Sequence, residues 1–524
     1  MPTCTTPWDR AVAAHPAPAS PRATPNPQMP EVCVVGAGIA GLTTAYCLAR
    51  AGRSVAVYDA NEVGAGQTAL GAGQTALSTA HLVSALDDRF VELERLHGRV
   101  GARLAAESHA AAIDFIDELV TLRKIPCHFR RLDGYLVSAD GDEPALVKEC
   151  AAAVRAGLTA EMVNQIPGLT AATGPAVRFA GQARINPLVY LHGLLDACQA
   201  LGVRVHTGQR IARVTDGEVA EIETEDGFVV QCQAVVVATH VPINDRVLLQ
   251  TKLEAYRTYV ITMRLATCTF PDALLWDDGD PYHYLRITED EGGPLLVIGG
   301  EDHLTGQGTP DPDLPYNQLE TWARDRFPGL GEVVDYWSGQ IIEPVDALAY
   351  IGHNPGATNV YVITGDSGNG LTHGTLGGMI LADAICGLAN PWAELYRPSR
   401  ITLAAAGEYT RHNAQVLRQY ADWLSPGDLD NCQQIESGMG GIVRNGLHPI
   451  AASRTEDGRL HLCSAICPHL GGLVRWNQTE QTWDCPCHGS RFSPTGQVLN
   501  GPANIGLAPA EEPLDPVAPA GLLA

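Results

Sequence analysis

Two short segments near the C-terminus place cysteine and histidine at spacings that suit a metal centre. Cys467-Pro-His469 is followed, after fifteen intervening residues, by Cys485-Pro-Cys487-His488. Each segment supplies one thiolate and one imidazole, the ligand set of a [2Fe–2S] centre in which two Cys hold one iron and two His hold the other. Zinc also accepts Cys₂His₂ sites, but its usual spacing pairs like residues with like. The spacing therefore predicts a Rieske-type cluster held by Cys467, His469, Cys485 and His488.

A glycine-rich turn near the start of the chain has the residue types of a phosphate-binding loop. Gly36-Ala-Gly38-Ile-Ala-Gly41 follows a short apolar strand pattern and leads into a helical stretch, and a second strand pattern ends at Asp59. Gly36 permits the tight turn, Gly38 lets the backbone approach a pyrophosphate, and Gly41 allows helix and strand to pack closely. Asp59 stands where a carboxylate accepts hydrogen bonds from a ribose. This strand–helix–strand segment predicts a dinucleotide site, for either FAD or NAD.

A second glycine-rich turn favours a flavin. The apolar strand pattern at 359–364 ends in a turn that runs from Gly365 to Gly374, and an apolar helix pattern follows. Such a turn directs backbone N–H groups and a helix dipole towards an anionic or electron-rich group, such as the pyrimidine of a reduced flavin.

Composition limits the classes of partner. The chain has 524 residues, is 45% hydrophobic and carries a net charge of −24. This charge repels nucleic acid and anionic membranes, and no apolar run is long enough to span a bilayer. The fourteen cysteines form no regular framework, which predicts reduced thiols and a cytoplasmic location. Residues 1–30, rich in Pro and Ala, are expected to be a disordered leader.

The chain resembles the glycine/D-amino acid oxidase-like flavoproteins, in the form fused to a C-terminal Rieske domain. The resemblance covers roughly residues 31–510. It rests on these segments: GAGIAG at 36–41, Thr79-Ala-His-Leu82, Ala85-Leu-Asp-Asp88, Val237-Ala-Thr-His240, Gly299-Gly-Glu-Asp-His303, Thr364 to Gly374, and Trp483 to Phe492.

The resemblance implies a fold and its boundaries. It implies an α/β FAD-binding domain of the Rossmann-like, glutathione-reductase type, with an inserted α+β substrate domain, followed by an all-β Rieske domain. The flavoprotein region is placed at 31–430, with the insertion at about 90–180 and 246–335, and the Rieske domain at 435–515. An exact tandem repeat of GAGQTAL, at 64–70 and 71–77, is read as a duplicated surface loop whose second copy lies nearer the cofactor.

The same likeness assigns cofactor contacts. Gly36, Gly38, Gly41 and Asp59 are expected to hold the ADP part of FAD, with Ile211 near the adenine. The residues expected around the isoalloxazine and at the neighbouring strand end are Thr239, Gly365, Gly370, Leu371 and Thr372.

The implied activity is oxidation of a C–N bond in an amine or amino acid to an imine, which water hydrolyses, with electrons leaving through the cluster to an unknown external acceptor. Two alternatives stay open: a redox carrier or sensor whose flavin pocket is vestigial, and an O₂-using amine oxidase with a structural Rieske domain. A ring-hydroxylating oxygenase is disfavoured, because no His follows His488 that could join the mononuclear iron site it requires.

Substrate-pocket candidates come from the strand-like stretch 281–287. Tyr282, Tyr284 and Arg286 alternate along it and therefore share a face, whereas His283 faces the other side. Arg286 would hold a substrate carboxylate bidentately, although a solvated strand position is the competing interpretation. Arg257 and His303 are weaker candidates.

The resemblance to Rieske domains implies which residues surround the cluster in respiratory Rieske proteins, and this chain differs from them at two positions. Ser490 occupies the position of a serine that donates to the cluster, but Phe492 occupies the position of a tyrosine that donates to a ligand sulfur. The cysteine expected to pair with Cys487 is replaced by Gly472. We therefore expect a lowered reduction potential and a free thiol at Cys487.

Overall fold

The computed structural model describes residues 6–13, 29–64, 74–169, 174–244, 247–267, 269–308, 311–446 and 448–511. Most of the GAGQTAL repeat lies outside these ranges, apart from Gly64 and the last four residues of the second copy. The chain forms two compact units: the first is Met1–His303 with Asp313–Thr410, and the second is Leu304–Pro312 with Arg411–Ala524.

The helices of the described residues, in chain order, are α1 (Pro7–Ala13), α2 (Ile39–Arg50), α3 (Gln74–Leu77), α4 (Phe90–Arg123), α5 (Glu143–Arg155), α6 (Pro187–Ala200), α7 (Leu314–Arg326), α8 (Gly370–Ile385), α9 (Ala393–Tyr396) and α10 (Ala406–Gln419). Short 3-10 turns occupy Gln250–Lys252, Leu403–Ala405, Tyr420–Leu424 and Cys432–Gln434. No helix among the described residues is both long and apolar enough to cross a bilayer.

The strands of the first unit are β1 (Val32–Val35), β2 (Val55–Tyr58), β3 (His81–Leu82), β4 (Arg130–Val137), β5 (Ala160–Val163), β6 (Ala176–Arg184), β7 (Arg204–His206), β8 (Ile211–Thr215), β9 (Ala220–Thr224), β10 (Val229–Cys232), β11 (Ala234–Val237), β12 (Leu253–Leu265), β13 (Leu274–Asp277), β14 (His283–Asp290), β15 (Gly293–Leu304), β16 (Leu330–Pro344), β17 (Tyr350–His353) and β18 (Val360–Thr364). Those of the second unit are β19 (Gly440–Asn445), β20 (His448–Arg454), β21 (Leu460–Ser464), β22 (Arg475–Asn477), β23 (Thr482–Asp484), β24 (Arg491–Phe492) and β25 (Val498–Asn500).

A six-stranded sheet with the order β17-β18-β11-β1-β2-β7 forms the centre of the first unit. The pairs of β1 with β2 and β11, of β11 with β18 and of β2 with β7 are parallel, and β17 adds an antiparallel edge. Strands β1, β2, β11 and β18 are buried along their whole length, as expected for a parallel sheet covered on both faces. An antiparallel sheet of β10-β9-β8 accompanies it. This confirms the predicted fold class for the flavoprotein region.

The inserted part of the first unit is built on a nine-stranded sheet. Its order is β16-β12-β15-β14-β13-β4-β6-β3, with β5 paired to β6. Two stretches of chain supply it, 81–184 and 253–344, and the insertion bounds of about 90–180 and 246–335 stay a prediction. The long antiparallel pair of β12 with β16 runs from Leu253↔Pro344 to Leu265↔Leu330.

The N-terminal helix α1 overturns part of the expected disordered leader. Trp8 is 2% exposed and its indole Nε1 donates to the Ser78 carbonyl at 2.9 Å. Arg10 forms a two-bond ion pair with Asp335, at 2.6 and 2.8 Å. Composition alone predicted disorder here, but one buried Trp and one paired Arg suffice to fix these seven residues. The other leader residues up to 28 lie outside the described ranges.

The second unit contains two small antiparallel sheets, β19-β20-β21 and β22-β23-β24-β25. This is the all-β fold that the resemblance predicted. The longer segment of this unit begins at Arg411, upstream of the start expected near residue 435. The earlier start reflects the packing of Val416 and Tyr420 against the core of this unit.

Candidate functional site

The first glycine-rich turn connects β1 with α2 in the geometry that the sequence predicted. Gly36 has a φ of +105°, and a Cβ at this position would lie 2.4 Å from the Ala238 carbonyl oxygen. A Cβ on Gly41 would lie 1.9 Å from the Gly36 oxygen, so both positions require glycine. A Cβ on Gly38, by contrast, would meet no atom within 4 Å. Gly38 therefore faces open space at the start of α2, where a pyrophosphate would fit.

The other predicted contacts of the ADP part lie at the ends of neighbouring strands. Asp59 follows β2, and its carboxylate accepts hydrogen bonds from the N–H groups of Ala37 at 2.7 Å and Asn61 at 2.8 Å. Burial raises the pKa of Asp59, although these hydrogen bonds oppose the rise. Ile211 is buried at the start of β8, and Thr239 follows β11. Their contacts with the cofactor stay predictions.

The second glycine-rich turn joins β18 to α8. Gly365 has a φ of +74°, and Gly370 is the first residue of α8. Leu371 is buried, and the Thr372 hydroxyl donates to the Asn369 carbonyl at 3.1 Å. The same hydroxyl lies 3.0 Å from His109 Nδ1, and the contacts of Gly365, Gly370, Leu371 and Thr372 with a flavin stay predictions.

Helices α2 and α8 pack closely enough to place their N-termini side by side. A Cβ on Gly374 would lie 3.2 Å from the Ala40 nitrogen, and one on Gly378 would lie 2.7 Å from the Thr44 nitrogen. Two helix N-termini at one place attract negative charge. Together with the open space at Gly38, this arrangement fits FAD, whose pyrophosphate and reduced ring both carry negative charge.

Beside the second glycine-rich turn lies a cluster of tyrosines and carboxyl groups. A Cβ on Gly368 would lie 2.4 Å from Asp87 Oδ2 and 3.8 Å from the Tyr282 hydroxyl. The rings of Tyr282 and Tyr284 are 5.5 Å apart, and the Tyr284 hydroxyl lies 2.8 Å from Thr258 Oγ1. The structure therefore brings Tyr282 and Tyr284 to one site, as predicted.

The carboxyl groups of this cluster have raised pKa values. Desolvation by the surrounding protein raises the pKa of Asp87 to about 8, of Asp302 to about 7 and of Asp88 to about 6, although Asp87 is exposed and the other two are half-buried. Desolvation also raises the pKa of Glu343 well above its ordinary value, with a further contribution from Asp88. Carboxylic acids whose pKa values lie near neutral pH are candidates for acid–base chemistry.

Ser367 links two of these acids through a single hydroxyl. Its Oγ lies 2.7 Å from Asp88 Oδ2 and 2.5 Å from Glu343 Oε2. One hydroxyl has one proton to donate, so the second contact requires a proton on a carboxyl group. The raised pKa of Glu343 makes it the acid that holds this proton.

Arg286 does not act as predicted. The residue is 1% exposed, its Nε donates to the Thr79 carbonyl at 2.5 Å, and its Nη2 donates to the Ile185 carbonyl at 3.1 Å. The guanidinium also lies over the Trp8 ring, 4.7 Å from its centroid. Because main-chain carbonyls and the α1 tryptophan occupy this group, we correct the prediction that it binds a substrate carboxylate.

His283 faces away from Tyr282 and Tyr284, as strand alternation predicted. Its ring nitrogens lie 3.0 Å from Asp277 Oδ2 and 3.3 Å from Glu301 Oε1, and the ring stacks on Trp322 at 4.0 Å. Burial disfavours the charged ring, but the two carboxylates outweigh it and raise the pKa of His283. This contact connects β13, β14, β15 and α7.

The two weaker substrate candidates also have protein partners. Arg257 is fully buried and donates to the Ser338 hydroxyl. The His303 Nε2 lies 2.8 Å from the Tyr259 hydroxyl. These hydrogen bonds do not show whether Arg257 or His303 binds a substrate, so both residues stay weaker candidates.

In the second unit, the four predicted iron ligands come together on two loops. Cys467 and Cys485 are 1% and 2% exposed, and the rings of His469 and His488 are 4.9 Å apart and perpendicular. His488 Nδ1 is buried without a hydrogen-bond partner among the described residues. A buried imidazole nitrogen of this kind fits a metal ligand.

The arrangement favours a two-iron cluster over a single ion. Each of the two loops supplies one cysteine and one histidine, at Cys467 with His469 and at Cys485 with His488. A Rieske cluster needs only two protein ligands per iron, because sulfide completes each shell. The ligand set therefore fits [2Fe–2S] and not a closed zinc site.

The loop residues around the ligands match the expected departures from respiratory Rieske proteins. Ser490 is 0% exposed, and its Oγ accepts from the Ala503 N–H at 3.0 Å. Phe492 is also 0% exposed and supplies no hydroxyl. Cys487 is a free thiol, and a Cβ on Gly472 would lie 2.5 Å from its sulfur.

Sequence reasoning missed two groups of residues. Asp302 on β15 and Glu343 on β16 belong to the cluster of tyrosines and carboxyl groups. Asp302 lies in the segment Gly299–His303, but no neighbouring residue in the sequence indicates that its pKa is raised. Tyr420 and Trp423 donate hydrogen bonds to the first cluster loop, from a segment that reads as the end of a linker helix.

Comparisons with known proteins agree with both sites. Residues 31–384 match the family model of the FAD dependent oxidoreductases (DAO), and residues 428–510 match that of the Rieske [2Fe-2S] domain. A Bacillus subtilis protein named as a Rieske 2Fe-2S iron-sulfur protein, YhfW, is 31% identical over 90% of this chain and 92% of its own length.

Two further relatives cover the flavoprotein region. The γ-glutamylputrescine oxidoreductase of Escherichia coli is 26% identical over 68% of this chain and 84% of its own length. The crystal structure of glycine oxidase from Geobacillus kaustophilus superposes with a TM-score of 0.57 at 18% identity, over 71% of this chain and 99% of that one. The structural likeness concerns the fold alone.

Proposed function

This chain belongs to the FAD dependent oxidoreductase family and carries a Rieske [2Fe-2S] domain, and from that premise we propose its reaction. It oxidises a C–N bond of an amine or amino acid, and the electrons leave through its own cluster to an external acceptor. Bound FAD supplies two-electron acceptance, and a [2Fe–2S] centre takes electrons one at a time.

The observation that supports this proposal is the cluster of tyrosines and carboxyl groups beside the second glycine-rich turn. Tyr282 and Tyr284 supply aromatic walls with hydroxyl groups, and Asp87 and Asp302 supply negative charge when ionised. A protonated amine is attracted by such carboxylates. The name of the E. coli relative supports the same class of substrate.

Asp302 is our candidate for accepting the proton of the substrate ammonium. Loss of hydride from the carbon beside nitrogen requires the neutral amine, so a base must remove one proton first. Asp302 has a pKa of about 7, which matches the best pKa for a base acting near neutral pH. Tyr282 and Tyr284 then orient the neutral amine.

An anaerobic screen of amines and amino acids tests the proposal, with loss of flavin absorbance as the signal. With the substrate found, we expect Asp302→Asn to lower kcat by about 100-fold or more and to abolish the acidic limb of the pH–rate profile near pH 7. Asp133→Asn is the matched control, because Asp133 lies on the same sheet and pairs with Arg178 at the surface.

Other outcomes would assign a different role. If no amine or amino acid bleaches the flavin, the chain is a carrier or sensor rather than this enzyme. Stoichiometric hydrogen peroxide in air, unchanged when Cys467 and His469 are replaced, would identify an oxidase whose cluster has no catalytic part.

We also propose a cytoplasmic location. The free thiol of Cys487 beside the cluster loops supports this proposal, since a reducing compartment keeps it free. Cell fractionation with an antibody against the chain tests it.

A further inference from the structure

The short segment 419–424 lies before the part of the chain that matches the Rieske domain, yet it contacts the first cluster loop. The Tyr420 hydroxyl donates to the Leu470 carbonyl at 2.8 Å. The Trp423 indole Nε1 donates to the Gly471 carbonyl at 3.1 Å. Two side chains one turn apart therefore hold two consecutive carbonyls of one loop.

Two backbone hydrogen bonds within the loop are accepted by carbonyls other than those of Leu470 and Gly471. The loop closes through the Cys467 N–H to the Gly472 carbonyl, at 2.8 Å, and the Gly471 N–H to the Cys467 carbonyl, at 3.0 Å. Leu470 directly follows the iron ligand His469, and its side chain is exposed. Fixing the carbonyls of Leu470 and Gly471 therefore fixes the backbone beside that ligand.

The segment is itself anchored to the second unit. Asp422 accepts two hydrogen bonds from the Arg475 guanidinium, at 2.6 and 3.1 Å. Arg444 Nη2 donates to the carbonyls of Asp422 and Trp423, at 2.9 and 3.1 Å. Arg475 stands on β22 and Arg444 on β19, so both small sheets hold this segment in place.

The two cluster loops have no covalent tie between them. Cys487 is free, and the residue opposite it is Gly472. The hydrogen bonds from Tyr420 and Trp423 therefore hold the first loop from a segment outside both loops.

We propose that Tyr420 and Trp423 are positioning residues of the iron–sulfur centre, which hold the loop 467–472 and thereby keep the cluster bound. The functional Rieske unit accordingly begins at this aromatic brace, Tyr420 with Trp423, and not at residue 428. The inference does not depend on the proposed amine oxidation, since cluster retention is measured without substrate.

The test measures cluster loss from the full-length holoprotein. A ferrous chelator is added under reducing conditions, and loss of the cluster absorbance is followed. We expect Tyr420→Phe and Trp423→Phe each to speed the loss roughly 5-fold, the effect of one hydrogen bond, and the double variant to lose the cluster faster than either single variant. Hydrogen–deuterium exchange of the peptide covering 467–472 should rise in the same order.

The matched control is Trp476→Phe. It removes an indole donor from the same unit, but this donor bonds the Gln478 side chain and not the cluster loop. We expect its cluster to be lost within about 2-fold of the native rate and its loop exchange to stay unchanged. Loss rates of the two brace variants equal to that of this control would overturn the proposal. If the double variant fails to fold, the single variants decide by the same rates.

Discussion

Ser490 and Phe492 determine how many hydroxyl groups surround the cluster thiolates. Both are buried on the segment that leaves the second cluster loop, and only Ser490 carries a hydroxyl. Hydrogen bonds to sulfur stabilise the reduced cluster, which carries the greater negative charge, and they therefore raise its potential. We therefore expect the missing hydroxyl at Phe492 to lower the reduction potential of the cluster below that of respiratory Rieske proteins.

Phe492→Tyr should raise the midpoint potential of the cluster. A new hydrogen bond that favours the reduced cluster by about 1.4 kcal/mol corresponds to roughly 60 mV for one electron. A redox titration followed by EPR measures the change. Phe492→Leu, which adds no hydroxyl, serves as the control, and equal potentials in the two variants would contradict this account.

Gly472→Cys should form a disulfide with Cys487. The ideal Cβ at Gly472 lies 3.4 Å from the Cys487 Cβ, close to the roughly 3.5–4.5 Å of protein disulfides. Oxidised glutathione supplies the oxidant, and the two thiols lose two protons and two electrons. We expect mass spectrometry to show the bridge and chelator-induced cluster loss to slow, with reversal by dithiothreitol; Gly472→Ser should show neither effect. An unbridged oxidised sample would refute the geometry.

At this scale the sequence predicted the ligands but not all of their neighbours. Cys467, His469, Cys485 and His488 were predicted as ligands because metal chemistry fixes ligand type and spacing. Arg286 was misassigned because strand alternation gives only the face of a side chain. Its partners, Trp8 and two distant carbonyls, come from parts of the chain that no local pattern connects to it.

Among the elements, the βαβ segments were predictable because glycine turns, buried strands and a terminal acid are local signals. Helix α1 was not, since its stability depends on the burial of Trp8 and on the Arg10–Asp335 pair. The contact of the segment Tyr420–Leu424 with a loop fifty residues away was outside the reach of sequence patterns.

A buried ion pair fixes the connection that follows β16. Arg400 donates to both oxygens of Asp346, at 2.6 and 2.8 Å, and lies over the Tyr350 ring at 4.0 Å. Burial would raise the pKa of Asp346, but Arg400 outweighs burial and lowers it to about 2. The carboxylate is therefore ionised in the folded protein at any pH well above that value.

Asp346→Asn should destabilise the first unit by about 3–5 kcal/mol, because it leaves the Arg400 charge buried without a counterion. Urea unfolding measures the loss. The native pair contributes fully above the ordinary Asp pKa near 4, and its contribution disappears as the pH falls through about 2. The difference in the free energy of unfolding between the native chain and the variant should therefore become smaller as the pH falls towards 2. A gap that stays constant down to pH 2 would exclude the pair as its cause. Asp133→Asn, at an exposed pair, should cost about 1 kcal/mol or less.

For the whole molecule, the central claim is that one chain combines a substrate-oxidising flavin site with its own one-electron outlet. The family matches place FAD chemistry at 31–384 and a [2Fe-2S] centre at 428–510. The order of the two domains and their cofactors followed from sequence motifs. The substrate could not be predicted from sequence motifs, because the cluster of tyrosines and carboxyl groups is assembled from β12, β14, β15, β16 and two turns that lie far apart along the chain.

The most direct measurement is EPR of the cluster after anaerobic addition of the amine or amino acid that bleaches the flavin. The oxidised [2Fe–2S] cluster gives no signal, and the cluster that has taken one electron does. We predict that the reduced-cluster signal appears as the flavin absorbance is lost, with no added mediator. A flavin that bleaches while the cluster stays silent would contradict the account.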